Sequence, residues 1–287
     1  MAIPLFGTSG AAAGRMREHE LLSVICIGED APPGNNSPNR QKKQVTEMER
    51  NYISEVRIST PVTEDSYLHS LPIVRHLLRE GGLRFSKGVT FLVGENGTGK
   101  STLLEAIAVA YGFNAEGGSR NFNFSTNSTH SELYRHLTIS RSAYPKDGFF
   151  LRAESFYNVA TNIDEIRATP NYGGVSLHDQ SHGESFLSLL KHRFWGNGLY
   201  LLDEPEAALS PSRLMALLVQ IHELAKADSQ FIIATHSPIL MAYPGAEVYE
   251  LSEDGIRSVD YHETEHYQLT RRFLENPEKM LHYLLDE

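Results

Sequence analysis

The chain has 287 residues, with 26 Lys and Arg against 36 Asp and Glu, and a net charge of -10. This length fits one large α/β domain with small additions, and no apolar run reaches the roughly 20 residues that a membrane-spanning helix needs. The acidity counts against a broad nucleic-acid-binding surface, although a local basic patch stays open. The single cysteine, Cys26, excludes an intramolecular disulfide and, alone, a thiolate zinc site, so a reducing cytoplasm is expected.

The N-terminal residues 1–47 predict a mobile tail. Residues 31–38 are rich in turn-forming Pro, Gly and Asn, and residues 39–44 are polar. Such a composition buries too little apolar surface to offset the entropy of the chain. The first convincing strand lies at residues 52–58. We therefore expect a folded domain over residues 48–287 and a tail that the chemistry does not need.

From residue 89 the pattern becomes that of an α/β domain. Apolar strands are predicted at 89–93, 149–153, 199–202 and 231–234. Helices are predicted at 100–111, from Pro211 with Ser210 as its N-cap, and within 263–285, whereas residues 161–179 are expected to be rich in loops. Continuous apolar strands that alternate with helices indicate a mainly parallel sheet buried on both faces.

A glycine-rich loop joins the first of these strands to its helix. Residues 94–101 fit the pattern G-x-x-x-x-G-K-[ST] in full, and this context disfavours an ordinary glycine loop. Backbone N–H groups of such a loop converge on phosphates, the lysine reaches the β- and γ-phosphates, and the Ser hydroxyl can ligate Mg²⁺. The predicted nucleotide-binding residues are Gly94, Glu95, Asn96, Gly97, Thr98, Gly99, Lys100, Ser101 and Thr102.

A second motif ends the apolar strand at 199–202 with Asp203, Glu204 and Pro205. Asp203 is predicted to hold Mg²⁺, directly or through water, together with Ser101, while Glu204 polarises the attacking water. The alternative is a plain strand-ending turn, because Pro stops a ladder and acidic residues favour loops. The phosphate loop upstream favours the catalytic interpretation.

Asn96 and Gly97 inside the loop and the Asp-Glu-Pro ending resemble the ATP-binding-cassette (ABC) superfamily of transporter, SMC and RecF-like ATPases, over residues 83–251. The resemblance implies a P-loop NTPase fold with an ABC-type head, in which helices flank a mainly parallel sheet and a smaller antiparallel β part is added. It also implies ATP and Mg²⁺ as cofactors, and a head-to-tail homodimer with ATP between the subunits.

The family's signature sequence is similar to residues 180–185, where Ser181 and Gly183 match and His182 departs from the usual glycine. The resemblance implies that this serine and the helix start contact the γ-phosphate of the opposite subunit. Ser181 and Glu184 also fit a capping box, which is compatible with that role. Residues 206–210 resemble the loop that the family calls the D-loop.

His236, in the segment 235–238, is similar to the family's switch histidine, which hydrogen-bonds the γ-phosphate and the attacking water. With Lys100 and Glu204 it completes the predicted catalytic set. The glutamine that the family places after the 149–153 strand is missing, and Glu154 is its positional substitute. The aromatic residue that stacks on adenine is left open between Tyr52 and Tyr67.

About 80 residues separate the loop from the signature, which leaves no room for the long coiled coil of SMC proteins. Three roles remain. An ATPase that controls a separate effector is favoured, because the chain resembles short stand-alone AAA-type ATPases of bacteria, some from defence systems. The altered signature and missing glutamine count against a transporter subunit, and the acidity counts against a nucleic-acid-processing ATPase.

Overall fold

The computed structural model describes residues 51–120, 131–166, 169–172 and 174–285. The predicted tail at 1–47 lies outside the described residues. In the described part, the strands are β1 (Ile53–Ile58), β2 (Leu83–Arg84), β3 (Val89–Gly94), β4 (Leu137–Arg141), β5 (Asp147–Arg152), β6 (Gly198–Asp203), β7 (Gln230–Ala234), β8 (Glu247–Ser252) and β9 (Gly255–Ser258).

The α-helices of the same ranges are α1 (Pro72–Glu80), α2 (Lys100–Tyr111), α3 (Phe156–Glu165), α4 (His182–Arg193), α5 (Pro211–Lys226), α6 (Pro238–Met241), α7 (Glu265–Glu275) and α8 (Pro277–Leu285). Gly112 ends α2 in the left-handed conformation, with its N–H bound to the Ala108 carbonyl. Ser210 and Pro211 begin α5, as the sequence predicts. Within the described ranges, no helix is both long and apolar enough to cross a membrane.

The central sheet has the strand order β5-β6-β7-β3-β8-β9, and β2-β1-β4 form a separate antiparallel sheet. All neighbours in the central sheet are parallel except β8 and β9, which form an antiparallel hairpin at one edge. The expected fold class is therefore confirmed. A parallel sheet must be covered on both faces, and this one is.

Two apolar clusters cover the two faces of the central sheet. Phe149, Tyr200 and Phe231 point to one face and pack with side chains of α3, α4 and α5. Phe150, Leu201 and Ile232 point to the other face, where α2 lies between the central sheet and the antiparallel sheet. The first turn of α2, which follows the glycine-rich loop, is thus held by packing on two sides.

One secondary-structure prediction holds only in part. The described residues of 161–179 after Glu165 form no α-helix or strand, as expected, but the first five residues of the segment are helical. Residues 156–165, which overlap the segment 161–179 expected to be loop-rich, form α3. Its buried residues Phe156, Val159, Ala160 and Ile163 have helical spacing, and the Phe156 ring lies 5.9 Å from the Phe186 ring. The polar residues between them obscured this pattern, and burial against α4 decided the conformation.

Candidate nucleotide site

The carboxyl ends of the parallel strands bring the predicted motifs to one edge of the sheet. Asp203 at the end of β6 stands opposite Arg152 on β5 and Ala234 on β7. Beyond the ladder, the Glu204 N–H donates to the Ala234 carbonyl at 2.9 Å, and the Thr235 N–H donates to the Leu92 carbonyl at 3.1 Å. These bonds hold the Asp-Glu motif and the segment of His236 beside the start of the phosphate loop.

The phosphate loop requires glycine where neighbouring elements come close. A Cβ at Gly94, whose φ is 134°, would lie 2.1 Å from the Leu251 carbonyl oxygen of β8. A Cβ at Gly99, with φ of 96°, would lie 2.6 Å from Cγ2 of Ile73 in α1. Gly97 has a positive φ of 85° but open space around it. The loop is therefore fitted between α1 and β8, and it turns directly into α2.

The exposed part of this loop consists of Glu95, Asn96 and Gly97, whereas Thr98 is buried and Ser101 and Thr102 are half-buried. The Thr98 hydroxyl donates to the Glu95 carbonyl at 2.8 Å. This bond closes the turn from within. The backbone of residues 95–97 therefore stays accessible to solvent, and a phosphate can approach it from that side.

Lys100 is buried inside the loop, with 4% of its surface exposed. Its Nζ donates to the Gly94 carbonyl at 2.7 Å and to the Glu95 carbonyl at 2.9 Å. Burial lowers the pKa of this amine, and the nearby carboxylates of Glu204 and Asp203 oppose that effect. The ammonium group thus lies at the loop, facing the acidic motif at the end of β6.

Asp203 is the most perturbed carboxylate of this edge. Burial raises its pKa to about 6, although a hydrogen bond with the Ser101 side chain and the nearby Arg152 guanidinium favour the charged form. Arg152 Nε lies 3.6 Å from Asp203 Oδ2, while Oδ1 is buried without a hydrogen-bonding partner among the described residues. A buried, unpartnered carboxylate oxygen beside a serine hydroxyl suits a hard divalent cation, so these residues fit Mg²⁺.

Glu204 and His236 lie within reach of each other. Glu204 has left-handed backbone angles, φ 49° and ψ 51°, which turn its half-exposed side chain back toward the site. Its Oε1 lies 3.5 Å from His236 Nε2, a nitrogen that has no hydrogen-bonding partner in the described ranges. Burial lowers the pKa of His236, Lys100 and His266 lower it further, and Glu204 opposes them. The imidazole is therefore held neutral near pH 7.

Three further residues contact this group, and none of them was among the predicted catalytic or metal-binding residues. Glu206 Oε1 accepts a hydrogen bond from the His236 N–H at 2.5 Å, and His266 Nε2 lies 2.8 Å from His236 Nδ1. Arg152 binds Glu105 Oε2 at 2.5 Å as well as facing Asp203. The local sequence gives only two signals for them: Arg152 ends a buried strand, and Glu206 begins the segment that resembles the D-loop. Their partners are 30 or more residues away in sequence.

Glu154, the proposed substitute for the missing glutamine, follows β5 as predicted. Its side chain is 84% exposed and pairs with Arg152 Nη2 at 3.4 Å. The same guanidinium faces Asp203, so Glu154 is connected to the predicted metal ligand through Arg152. Its role as a sensor of Mg²⁺ or water stays a prediction.

The signature residues lie at the start of α4, where Glu184 and Arg213 of α5 contact them. Glu184 Oε2 accepts hydrogen bonds from the Ser181 N–H at 3.0 Å and from its hydroxyl at 2.6 Å. Arg213 of α5 donates to the Ser181 hydroxyl at 3.3 Å. A Cβ at Gly183 would lie 2.3 Å from Arg213 Nη1. A side chain at this position would therefore displace the Arg213 side chain, which crosses the first turn of α4.

The two aromatic candidates for the adenine differ in exposure. Tyr52 is buried, and its hydroxyl donates to the Asp228 carbonyl at 2.8 Å, so it belongs to the core. Tyr67 is 54% exposed, and its hydroxyl lies 2.9 Å from the Ser131 hydroxyl. A cleft of about 1030 Å³ opens beside the phosphate loop. Its lining includes Ser70, Arg75, Gly97, Glu250, Arg257 and Glu265.

Two family models match the chain, and together they span more than half of it. Residues 74–166 match a model described as "AAA domain". Residues 172–242 match one described as "AAA domain, putative AbiEii toxin, Type IV TA system". The first model covers the phosphate loop and Arg152, and the second covers the signature, Asp203, Glu204 and His236. A search of curated protein sequences finds no match.

Solved structures with a similar chain path include ABC and SMC proteins. The protein cbiO1 from Clostridium perfringens, part of the ABC transporter complex cbiONQ, is 20% identical over 71% of this chain and 90% of its own, with a TM-score of 0.39. The SMC head domain from Thermotoga maritima is 15% identical over 73% and 99%, with a TM-score of 0.40. The ATP-binding cassette MJ1267 of an ABC transporter is 17% identical over 81% and 99%, with a TM-score of 0.41.

These structural similarities are too weak to carry the assignment, which rests on the two domain models and on the geometry of the site. Both models describe ATPase domains, and the phosphate loop, the buried Asp203 and His236 meet at one edge of the sheet. The chain is therefore an ATPase that is similar, over residues 74–166 and 172–242, to AAA-domain proteins.

Proposed function

We propose that this ATPase binds Mg-ATP at residues 94–101 and hydrolyses it as a head-to-tail homodimer. The observation that carries the proposal is Asp203, which is buried, hydrogen-bonded with Ser101, and left with one carboxylate oxygen unpartnered. A carboxylate kept charged in such a place is costly unless a cation offsets the burial. Ser101 and Asp203 would hold Mg²⁺, which when bound would neutralise phosphate charge and orient the γ-phosphate.

The remaining residues of the edge have separate tasks. Backbone N–H groups of residues 95–97 and the start of α2 bind the phosphates, and Lys100 exchanges its two carbonyl partners for phosphate oxygens. Glu204 accepts a hydrogen bond from the attacking water, since it is next to the metal ligand but half-exposed. His236 donates to the γ-phosphate from Nε2, which has no other partner in the described ranges.

The location of Ser181 supports the proposed dimer. It is exposed at the N-terminus of a 12-residue helix beside Arg213, and a γ-phosphate would take the place of the Glu184 carboxylate that now accepts from its N–H and hydroxyl. The hydrogen bonds of the Ser181 N–H and hydroxyl in the described ranges are with Glu184 and Arg213. In a head-to-tail pair, Ser181 and Gly183 would meet the γ-phosphate bound by the partner subunit. ATP would then lie between two subunits and stabilise their association.

For the biological role, we propose control of a separate effector in a bacterial defence system. The family model over residues 172–242 supports it, because its description names a toxin of a toxin–antitoxin system. A transporter's nucleotide-binding subunit and a nucleic-acid-processing ATPase are the alternatives. The net charge of -10 counts against the last. A permease, a nuclease or a reverse transcriptase encoded beside this chain would each select a different role.

The test is the substitution Glu204→Gln, which keeps the shape of the side chain and removes its charge. Hydrolysis should slow by at least about a hundredfold, while Mg-ATP binding measured by calorimetry persists. Light scattering with Mg-ATP should then show a dimer. Adding Ser181→Arg should restore the monomer by obstructing the shared site, and Lys100→Ala is the control that binds no ATP.

Two outcomes would contradict the proposal in different ways. A Glu204→Gln protein that hydrolyses ATP at the normal rate would remove Glu204 from the catalytic set. If the variant bound Mg-ATP, failed to hydrolyse it and stayed monomeric, the assignment of the nucleotide site would still hold. The proposal of a head-to-tail dimer would be refuted.

A further inference from the structure

We infer that His266, at the start of α7, is a positioning residue that fixes the tautomer of His236 and so directs the Nε2 proton of His236 into the site. The inference rests on the proposed role of His236 as the histidine that contacts the γ-phosphate. It assigns a catalytic task to the C-terminal helices, which the motifs do not include. The two rings are 4.9 Å apart between centroids, and the facing nitrogens are 2.8 Å apart.

A contact of 2.8 Å between two imidazole nitrogens needs one N–H and one lone pair. If both facing nitrogens carried protons, the two N–H groups would repel each other. The pair therefore has a direction. Burial lowers the pKa of His236 and of His266, and the Lys100 ammonium lowers both further, which agrees with two neutral rings.

The direction follows from the other nitrogen of His236. Nε2 lies 3.5 Å from Glu204 Oε1 without a hydrogen bond, and the negative charge of that oxygen favours an N–H over a lone pair on the nitrogen that faces it. The hydrogen bond that holds this arrangement is the one between Nδ1 and His266. The proton of His236 is therefore on Nε2, and its Nδ1 carries the lone pair. It follows that His266 donates its Nε2–H to His236 Nδ1. An Nδ1–H tautomer of His236 would instead turn a lone pair toward the carboxylate.

His266 is held in place by the start of its helix. Thr264 is fully buried and caps α7 by accepting from the Tyr267 N–H at 3.4 Å. The Glu265 N–H donates to Glu250 Oε1 at 3.0 Å. Glu250 lies on β8 directly opposite Val93, the residue before the phosphate loop begins. The strand that packs against the loop thus also fixes the helix end that carries His266.

The backbone of His236 is fixed from another side. Its N–H donates to Glu206 Oε1 at 2.5 Å. With the main chain held by Glu206 and the ring held by His266, the direction of Nε2 is determined by contacts outside the nucleotide itself. Such preorganised donors stabilise charge that develops in the transition state. A shift of α7 would release the ring, so anything that moves the C-terminal helices would change the rate of hydrolysis.

The kinetic test compares His266→Leu with His266→Gln in the full chain. Gln can place an amide N–H near the position of the lost Nε2–H, whereas Leu cannot. His266→Leu should lower kcat at least about tenfold, as expected for loss of a partner that orients a functional histidine, with the affinity for Mg-ATP within about twofold. His266→Gln should stay within about threefold of wild type.

A double-mutant cycle separates positioning from packing. In a His236→Ala background, His266→Leu should cause no further loss of kcat, because its effect passes through His236. If the decreases in kcat caused by the two substitutions multiplied instead, His266 would act only on the packing of α7, and the inference would be overturned. Equal kcat for His266→Leu and wild type would overturn it as well.

A spectroscopic readout keeps this inference distinct from the proposed function. In ¹⁵N-histidine NMR spectra, with the His236 signals assigned by their loss in His236→Gln, His236 should be in the Nε2–H form in wild type and in His266→Gln. In His266→Leu it should become a mixture of tautomers. This measurement needs no hydrolysis, so a wild-type protein without ATPase activity would refute the proposed function and still leave the tautomer to be measured. A His236 tautomer that is the same in all three proteins would refute the inference.

Discussion

The buried carboxylate of Asp203 makes a quantitative prediction about stability and pH. Its pKa is raised from an ordinary 3.8 to about 6, mainly by burial. Between these two pH values, the folded state binds more protons than the unfolded state, so the free energy of unfolding falls as the pH rises. The pKa is raised by a little over two units, and each unit corresponds to about 1.4 kcal/mol. The free energy of unfolding therefore falls by about 3 kcal/mol between about pH 4 and 6.

The substitution Asp203→Asn should remove this loss. Asn has nearly the same shape, keeps an oxygen and an amide for hydrogen bonds, and carries no charge. Without nucleotide or Mg²⁺, the variant should be more stable than wild type above pH 6, by up to about 3 kcal/mol. For a domain of this size, that corresponds to a rise in Tm of up to about 6 to 12 °C. The price is function, since Mg-ATP should no longer stabilise the variant or be hydrolysed.

Urea unfolding of both proteins at several values between pH 4 and 8 measures the difference directly, because other carboxylates titrate in both. Asp147→Asn is a matched control at a second buried carboxylate, which accepts from Arg193 at 2.6 Å and from the Tyr200 hydroxyl at 2.8 Å. Removing that charge should destabilise the protein. An Asp203→Asn protein that is less stable than wild type at pH 8, with an unchanged pH profile, would refute the reasoning.

Two further predictions concern the phosphate loop and the tail. Gly94→Ala should destabilise the fold by about 2 kcal/mol or more in urea unfolding, because its Cβ would overlap the Leu251 carbonyl, whereas Gly97→Ala should cost only about 1 kcal/mol for its positive φ. Equal costs would contradict the close approach of β8. Removal of residues 1–47 should leave the affinity for ATP within tenfold, about 1.4 kcal/mol, in calorimetry, and a larger loss with the fold intact would show that the tail completes the site.

The phosphate loop and its helix could be predicted from the sequence because their determinants are local. The glycine spacing, the apolar strand before it and the helical pattern after it lie within residues 89–111, and the structure has β3 and α2 at those places. The same holds for Ser210 and Pro211 at the start of α5 and for Ser181 before α4. Caps and turns depend on residues three or four positions apart, so they leave a pattern in the sequence.

The contacts that complete the site were decided by the tertiary structure. The register of β5, β6 and β7 places Arg152 beside Asp203, and the docking of α7 on β8 brings His266 to His236, 30 residues away. A single histidine at the start of an amphipathic helix forms no sequence pattern from which its partner could be predicted. Register and helix docking are selected by the burial of apolar surface between elements distant in sequence, which is a property of the whole fold rather than of any short segment.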